Sequence, residues 1–173
     1  MVEIADGIFV GNQDDFYSLR DKKNWVVLHC CKEPFHVDFV GYRGQRSLPP
    51  NHPDYAYKII GQEMALNLVD MNTFDGKYLN FDQSMFEKAF DFLDQYRGTG
   101  KRILIHCNQG ESRGPCIGML YTAKLGVFGY VDFDTTYSLF SQKYPGFNPK
   151  KNIYLTVKNL WNQFVKQLNS VAK

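Results

Sequence analysis

Hydrophobic residues along the chain fall into two kinds of pattern. Short continuous apolar runs are typical of buried strands, and they predict strands over residues 3–12, 25–31, 64–70 and 103–106. Apolar residues at helical spacing predict helices over residues 81–97 and 152–169, and further helices are predicted over 114–126 and 132–144. Residues 14–24 are predicted to form a helical turn or short helix. Because strands alternate with helices, we predict an α/β fold with a central, mostly parallel sheet of four to five strands flanked by helices.

One long stretch, residues 32–62, has no clear period and contains four prolines, so it is predicted to be a loop. A loop of this length is unusual in a compact domain and is typical of a functional surface. Its polar side chains are candidates to line a pocket and select a substrate, although a solvated basic loop explains them equally well: Lys32, His36, Tyr42, Arg43 and Arg46.

Composition narrows the class of protein. The chain has 173 residues, 44% of them hydrophobic and 16% aromatic, which predicts one folded domain over residues 1–173. Its formal charge of +2 does not favour nucleic-acid binding. We find no run of about 20 apolar residues and no signal-peptide pattern at the start, so we expect a soluble, cytoplasmic protein with no membrane partner. Nothing in the sequence locates a subunit interface, and the oligomeric state stays open.

Cysteine spacing bears on metals and redox chemistry. The four cysteines form neither a Cys-x-x-Cys pair nor a Cys/His pattern with zinc spacing, so we expect no metal site: Cys30, Cys31, Cys107 and Cys116. Four cysteines in a chain of this length are not a disulfide scaffold. Free thiols are expected, and one of them is a candidate for reactivity.

The segment "ILIHCNQGESRGP", residues 103–115, combines a strand, a loop and the start of a helix. In such a loop the backbone N–H groups can converge on an anion, and the helix N-terminus adds partial positive charge. Gly110 permits the backbone conformation, and Arg113 offers a planar pair of donors suited to a phosphate. A thiol in this field, that of Cys107, ionises readily. A lone cysteine after an apolar strand is more often a packing residue, but the whole pattern favours an anion site with a nucleophile.

The sequence "HCNQGESRG" resembles the His-Cys-x5-Arg signature loop of the cysteine-dependent protein phosphatases, and its "GxSR" form resembles the dual-specificity branch most. Other pieces, among them "IADGIFVGNQDDF", "WVVLHCC" and "YPGFNPKKNIYLTVKNLW", are similar to further parts of that branch. The resemblance extends over nearly the whole chain. The loop is its specific part, and the other pieces are individually weak.

The resemblance implies a mechanism without metal or cofactor and a phosphorylated protein as substrate. Cys107 would attack phosphorus and form a phosphocysteine. Phosphate would be bound by the loop that leads to Arg113, with His106 as a supporting residue that orients this loop through hydrogen bonds. The residues expected to bind the substrate are Asn108, Gln109, Gly110, Glu111, Ser112 and Arg113.

A separate carboxylic acid would protonate the leaving oxygen. Asp70, at the end of the predicted strand "LNLVD", fits the place of this acid in the family and is preferred. Asp75 is the alternative, because the spacing typical of the branch, counted back from Cys107, falls nearer to it. Asp82 is expected to be a helix cap.

Two features raise questions about turnover and redox control. The family usually has Ser or Thr directly after the arginine, whereas this chain has Gly114, and Ser112 is the only hydroxyl nearby in the loop. Slow hydrolysis of the phosphoenzyme is the hypothesis that follows. Cys31 or Cys30 is a possible redox partner of Cys107, although packing explains both thiols.

Other functions use a similar loop. An RNA 5′-triphosphatase or a phosphoinositide phosphatase is the alternative enzyme, but the low net charge gives the RNA alternative little support. The loop contains Glu111 and no lysine, which weakens the lipid alternative. A catalytically weak phosphate-binding module is the third possibility. Its support is Gly114 and the choice of acid left open between Asp70 and Asp75, while the presence of both Cys107 and Arg113 argues against it.

Overall fold

The chain forms six strands and a set of helices in a computed structural model that describes residues 1–42, 48–72 and 83–165. The strands are β1 Val2–Ala5, β2 Ile8–Gly11, β3 Trp25–His29, β4 Tyr57–Ile60, β5 Glu63–Leu66 and β6 Arg102–His106. The helices are α1 Gln13–Tyr17, α2 Val37–Val40, α3 Gln83–Asp94, α4 Arg113–Lys124, α5 Phe133–Lys143 and α6 Lys151–Phe164. Short helical turns cover Lys22–Asn24 and Lys32–His36.

The sheet has the strand order β1-β2-β6-β3-β5-β4. Its four central strands are parallel, and β1 and β4 pair antiparallel at the two edges. The predicted α/β class and mostly parallel sheet are therefore confirmed, but the sheet has six strands rather than four to five. Residues 3–12 form two strands rather than one, because the chain reverses at Asp6-Gly7, where Gly7 has a φ of +67°.

Two predictions are wrong. The predicted loop 32–62 contains the turn Lys32–His36, α2 and β4, and only the last of these belongs to the sheet. The predicted strand 64–70 ends at Leu66, so Asp70 lies in the segment after β5 and not at the strand's end. The short helix or helical turn predicted within residues 14–24 is present as α1, which is followed by the turn Lys22–Asn24.

Two apolar layers cover the sheet. The larger contains α3, whose buried stripe is Met85, Phe86, Ala89, Phe90, Phe92 and Leu93, together with α4 and α6. The smaller lies on the other face, under α1 and the turn Lys32–His36, and its buried members are Phe16, Leu19, Trp25, Val27, Cys31, Phe35, Ala65 and Leu104. The parallel strand β6 thus leads from the middle of a sheet that is buried on both faces directly into the loop before α4.

Candidate active site

The loop between β6 and α4, residues 107–112, begins with Cys107, whose side chain is buried. At Gly110 the backbone has a φ of +73°, and a Cβ added there would lie 2.9 Å from the carbonyl oxygen of Gly11. Both the left-handed backbone and this close approach require glycine. The glycine predicted to shape the loop is therefore needed for two separate reasons.

Contacts from other elements hold the backbone carbonyls of the loop. The hydroxyl of Tyr144 donates to the oxygen of Gly110 at 2.7 Å. The amide of Asn148 donates to the oxygen of Glu111 at 2.8 Å, and the amide of Gln13 to that of Asn108 at 3.2 Å. Carbonyls engaged in this way from α1 and from the end of α5 fix the course of the loop.

Arg113, the first residue of α4, is fixed by two hydrogen bonds. Its Nη1 donates to the carbonyl oxygen of Leu68 at 3.1 Å, and its Nη2 donates to Oδ1 of Asn108 at 2.7 Å. The remaining nitrogen, Nε, lies 3.7 Å from Oδ2 of Asp70 and is buried with no hydrogen-bond acceptor among the described residues. The guanidinium is therefore oriented before any ligand arrives.

Asp70 lies against the anion loop. Its Oδ1 accepts a hydrogen bond from the Ser112 hydroxyl at 2.8 Å. Burial raises the pKa of Asp70, while the Ser112 hydrogen bond and the charges of Arg113 and Lys150 act in the opposite direction. A raised pKa suits a carboxyl group that must donate a proton. Asp75 and Asp82 lie outside the described residues.

The segment that carries Asp70 is attached to the start of α6 by one side chain. Asn152 accepts a hydrogen bond from the amide of Met71 at 3.0 Å and donates one to the carbonyl of Val69 at 2.9 Å. These two bonds hold the backbone on both sides of Asp70. No local pattern in the sequence identifies Asn152, because its two contacts join residues that are 81 and 83 positions apart.

The residue after the arginine, Gly114, approaches the end of β6 too closely for a side chain. A Cβ added there would lie 2.9 Å from the carbonyl carbon of His106 and 3.0 Å from the amide nitrogen of Cys107. The Ser112 hydroxyl, the alternative that the sequence offered, donates to Asp70 and accepts from the amide of Lys150 at 2.9 Å. The hydroxyl proton of Ser112 is therefore already donated to Asp70 and is not available to stabilise a thiolate.

His106 is fully buried on the sheet face opposite the larger core. Its Nε2 lies 2.6 Å from Nδ1 of His29, and its Nδ1 lies 3.3 Å from the carbonyl oxygen of Cys107. Burial, with a further contribution from His29, lowers the pKa of His106 to about 3. The polar chain continues from His29 to Glu63, and sequence reasoning identified neither residue as part of the site.

The other thiols lie in the core. Cys30, Cys31 and Cys116 are buried and unbonded to one another. Burial raises the pKa of Cys31 to about 12 and raises those of Cys30 and Cys116 as well. The amide of Cys30 donates to the carbonyl of His106 at 2.7 Å, which holds the end of β3 beside the end of β6. A redox pairing of Cys31 or Cys30 with Cys107 stays a prediction.

A cavity of about 260 Å³ opens beside the loop and is lined by Lys32, Glu33, Leu68, Val69, Asn108 and Arg113. Of the loop residues proposed as selectors, Lys32 lines this cavity. His36 and Tyr42 instead contact each other at 3.2 Å, and His36 is fully buried. Arg43 and Arg46 lie outside the described residues. Within the described part of the chain, no group of three or more His, Cys, Asp or Glu side chains could hold a metal ion.

No protein-family model matches the chain. Curated relatives nevertheless do. The chain is 44% identical over 45 residues, 26% of its length, to dual specificity protein phosphatase 5 of Rattus norvegicus, and 32% identical over 112 residues, 65% of its length, to dual specificity protein phosphatase YVH1 of Plasmodium falciparum. These matches cover only 12% and 17% of the two relatives.

Solved structures show the same fold. The chain superimposes on the structure of DUSP15 with a TM-score of 0.62 at 15% identity, over 93% of this chain and 86% of that one. It superimposes on PTPMT1 in complex with PI(5)P with a TM-score of 0.59 at 13% identity, over 91% of both chains. The fold of this chain is therefore the one seen in these two structures. The curated relatives confirm the predicted resemblance to the dual-specificity branch.

No described helix has both the length and the apolar character needed to cross a membrane.

Proposed function

We propose that the chain is a cysteine-dependent phosphatase that acts on phosphotyrosine in proteins, and also on phosphoserine or phosphothreonine, through a phosphocysteine intermediate. The observation that carries this proposal is the convergence of Arg113, Asp70 and the loop that begins at Cys107. Arg113 is fixed by the loop residue Asn108, and Asp70 by the loop residue Ser112. The curated relatives, named as dual specificity phosphatases, support the same activity.

Each group has a role in this mechanism. The Cys107 thiolate attacks phosphorus in line, while Arg113 and the loop N–H groups bind the equatorial oxygens. The carboxyl group of Asp70 gives its proton to the leaving oxygen and then takes a proton from the attacking water. The burial that raises the pKa of Asp70 keeps a larger fraction of this carboxyl protonated, as the first step needs.

The second step is expected to be slow. Gly114 has no hydroxyl, and that of Ser112 is bound to Asp70 and to the amide of Lys150. No neighbouring hydroxyl in the loop is thus available to stabilise the departing thiolate. We expect a burst of product equal to the enzyme concentration, followed by slower steady turnover.

Hydrolysis of an aryl phosphate and of a phosphotyrosine peptide, with EDTA present, tests the proposal. We expect the wild type to turn over both substrates, Cys107→Ser to lose at least about 10³-fold in kcat, and Asp70→Asn to slow the peptide reaction most. Asp75→Asn is the matched control for the acid. Wild-type activity that survives in Cys107→Ser would exclude the thiolate mechanism. A larger effect of Asp75→Asn would transfer the role of the acid to that residue.

A further inference from the structure

Three polar side chains form a continuous chain across one face of the sheet. Glu63, His29 and His106 lie on the neighbouring strands β5, β3 and β6, and His29 and His106 stand opposite each other in register. Oε2 of Glu63 lies 2.9 Å from Nε2 of His29, and Nδ1 of His29 lies 2.6 Å from Nε2 of His106. The chain ends at the Cys107 carbonyl oxygen, 3.3 Å from Nδ1 of His106. It therefore joins a carboxylate at the protein surface to the backbone of the nucleophile.

Aromatic rings enclose both imidazoles. Phe16 of α1 stacks on His106 at 5.3 Å between centroids, and Phe35 stacks on His29 at 4.3 Å. Both histidines are 0% exposed, whereas the Glu63 side chain is 30% exposed. Besides the members of the chain, Lys22 is the charged group whose field acts on His29. A buried ring nitrogen without a partner is costly, so the position of each proton in the chain is strongly constrained.

The number of protons on Glu63, His29 and His106 decides which of their three contacts are hydrogen bonds. Three contacts need three protons, but a Glu63 carboxylate and two neutral imidazoles supply only two. The carboxylate can only accept, so His29 donates to it from Nε2 and turns an unprotonated Nδ1 toward His106. His106 must then donate from Nε2. The contact left without a proton is the longest one, between Nδ1 of His106 and the Cys107 oxygen.

We propose that Glu63 and His29 are positioning residues that hold the proton of His106 on Nε2, so that Nδ1 faces the nucleophile's backbone as a lone pair. The importance of this proton for activity rests on the proposed role of Cys107. His106 then donates its one hydrogen bond to His29, away from Cys107. The ring thus presents the negative end of its dipole, not a proton, to the Cys107 peptide.

The charge states favoured by burial agree with two protons, rather than three, held by Glu63, His29 and His106 together. Burial lowers the pKa of His29, and that of His106 falls to about 3, so both rings are neutral near pH 7. The hydrogen bond from His29 lowers the pKa of Glu63, which is therefore a carboxylate at this pH. A third proton enters the chain only in acid.

The variant Glu63→Gln should reverse the direction of the hydrogen bonds that link residue 63, His29 and His106. An amide can donate to Nε2 of His29, which moves the His29 proton to Nδ1 and the His106 proton to Nδ1. All three contacts are then satisfied with neutral groups, so the reversed arrangement is favoured. Long-range ¹H–¹⁵N correlation spectra at pH 7 should show His106 protonated on Nε2 in the wild type and on Nδ1 in Glu63→Gln. An Nδ1 proton in the wild type, or the same tautomer in both proteins, would overturn the proposal.

The effect on the nucleophile is measured by the rate of Cys107 alkylation with iodoacetamide as a function of pH, followed by mass spectrometry of the Cys107 peptide. The matched control is the same Glu63→Gln change made in His29→Phe, where the charge is removed but no ring links residue 63 to His106. We expect Glu63→Gln to lower the midpoint by about half a pH unit more when His29 is present than in His29→Phe, less than the about 1–3 units that a full charge produces. Equal shifts in the two backgrounds would overturn the positioning role. Neither measurement needs turnover, so an inactive wild type with the expected tautomers would refute the proposed function alone.

Discussion

The hydroxyl of Ser112 donates a hydrogen bond to Oδ1 of Asp70 at 2.8 Å and accepts one from the amide of Lys150 at 2.9 Å. This one side chain therefore joins the anion loop, the candidate acid and the residue that precedes α6. It also stands next to Arg113 in the sequence. A displacement of the loop would be transmitted directly to the carboxyl group.

Replacing Ser112 by alanine tests this coupling. The hydrogen bond from Ser112 lowers the pKa of Asp70, so its loss should raise that pKa further. The basic limb of the kcat/KM profile should therefore move to higher pH, by about one unit, while stability falls by about 1 kcal/mol because the Lys150 amide loses its acceptor. Kinetics across pH and urea unfolding measure the two effects.

Ser138→Ala is the control, because Ser138 is exposed on α5 and its hydroxyl donates only to the Asp134 carbonyl. It should change neither the profile nor the stability measurably. A basic limb that stays in place in Ser112→Ala would mean that Asp70 does not supply the proton.

Restoring the hydroxyl that the family usually has after the arginine should fail here. In Gly114→Ser the new Cβ would lie 2.9 Å from the carbonyl carbon of His106. This is a backbone atom, and displacing it costs free energy of folding. We expect a loss of about 1–3 kcal/mol in stability and a lower kcat, rather than faster hydrolysis of the phosphoenzyme. Thermal unfolding and pre-steady-state burst kinetics measure both. Gly146→Ser is the control, since a Cβ there meets nothing closer than 3.7 Å. Faster steady turnover in Gly114→Ser would contradict the steric argument.

The candidate nucleophile and its arginine could be proposed from the sequence because the features that single them out are local. The spacing of Cys107 and Arg113, the glycine between them and the strand before them lie within one short segment. The hairpin at Asp6-Gly7 was also within reach, since an Asp-Gly pair between apolar residues is a strong turn signal. The strand β4 could not be predicted, because it is a short edge strand in a proline-rich stretch, with Ile59 and Ile60 exposed.

The support of the site could not be predicted, because it depends on the order of the strands. His29 and His106 are 77 positions apart, and Glu63 is 34 positions from His29. The three side chains meet because the strand order of the sheet places β6, β3 and β5 side by side. The space around Gly114 is likewise set by how closely α4 packs on β6, and no local pattern encodes that distance.

The contact between Asn108 and Arg113 should contribute to phosphate binding. Asn108→Ala removes the acceptor that holds Nη2 of Arg113 at 2.7 Å and leaves the guanidinium held only by the bond from Nη1 to the Leu68 carbonyl among the described residues. A hydrogen bond to a charged group contributes about 1.5 kcal/mol or more, so the inhibition constant of inorganic phosphate should rise about tenfold. Gln13→Ala is the matched control, because within the described residues the one hydrogen bond of the Gln13 side chain is the 3.3 Å bond that it accepts from Asn108, and its backbone bond to Asn108 is kept. An unchanged inhibition constant in Asn108→Ala would show that the arginine is positioned without it.

Three of the four histidines should make stability depend on pH. Burial lowers the pKa of His29, His36 and His106 in the folded protein, whereas in the unfolded chain each has a pKa of about 6.5. Below that value the unfolded chain binds protons that the folded protein does not. The free energy of unfolding should therefore fall as pH decreases from about 6.5 to 5, by up to about 1.4 kcal/mol per pH unit for each histidine. Above pH 6.5 this dependence should disappear.

Urea unfolding at half-unit intervals between pH 5 and 8 measures the dependence in a range where most carboxylates stay ionised. His29→Asn removes one of the three titrating groups and keeps a polar side chain toward His106, so its slope below pH 6.5 should be smaller by up to about 1.4 kcal/mol per pH unit. Equal slopes in the wild type and His29→Asn would mean that the buried ring takes up a proton in the folded state, so that Glu63, His29 and His106 hold three protons rather than two.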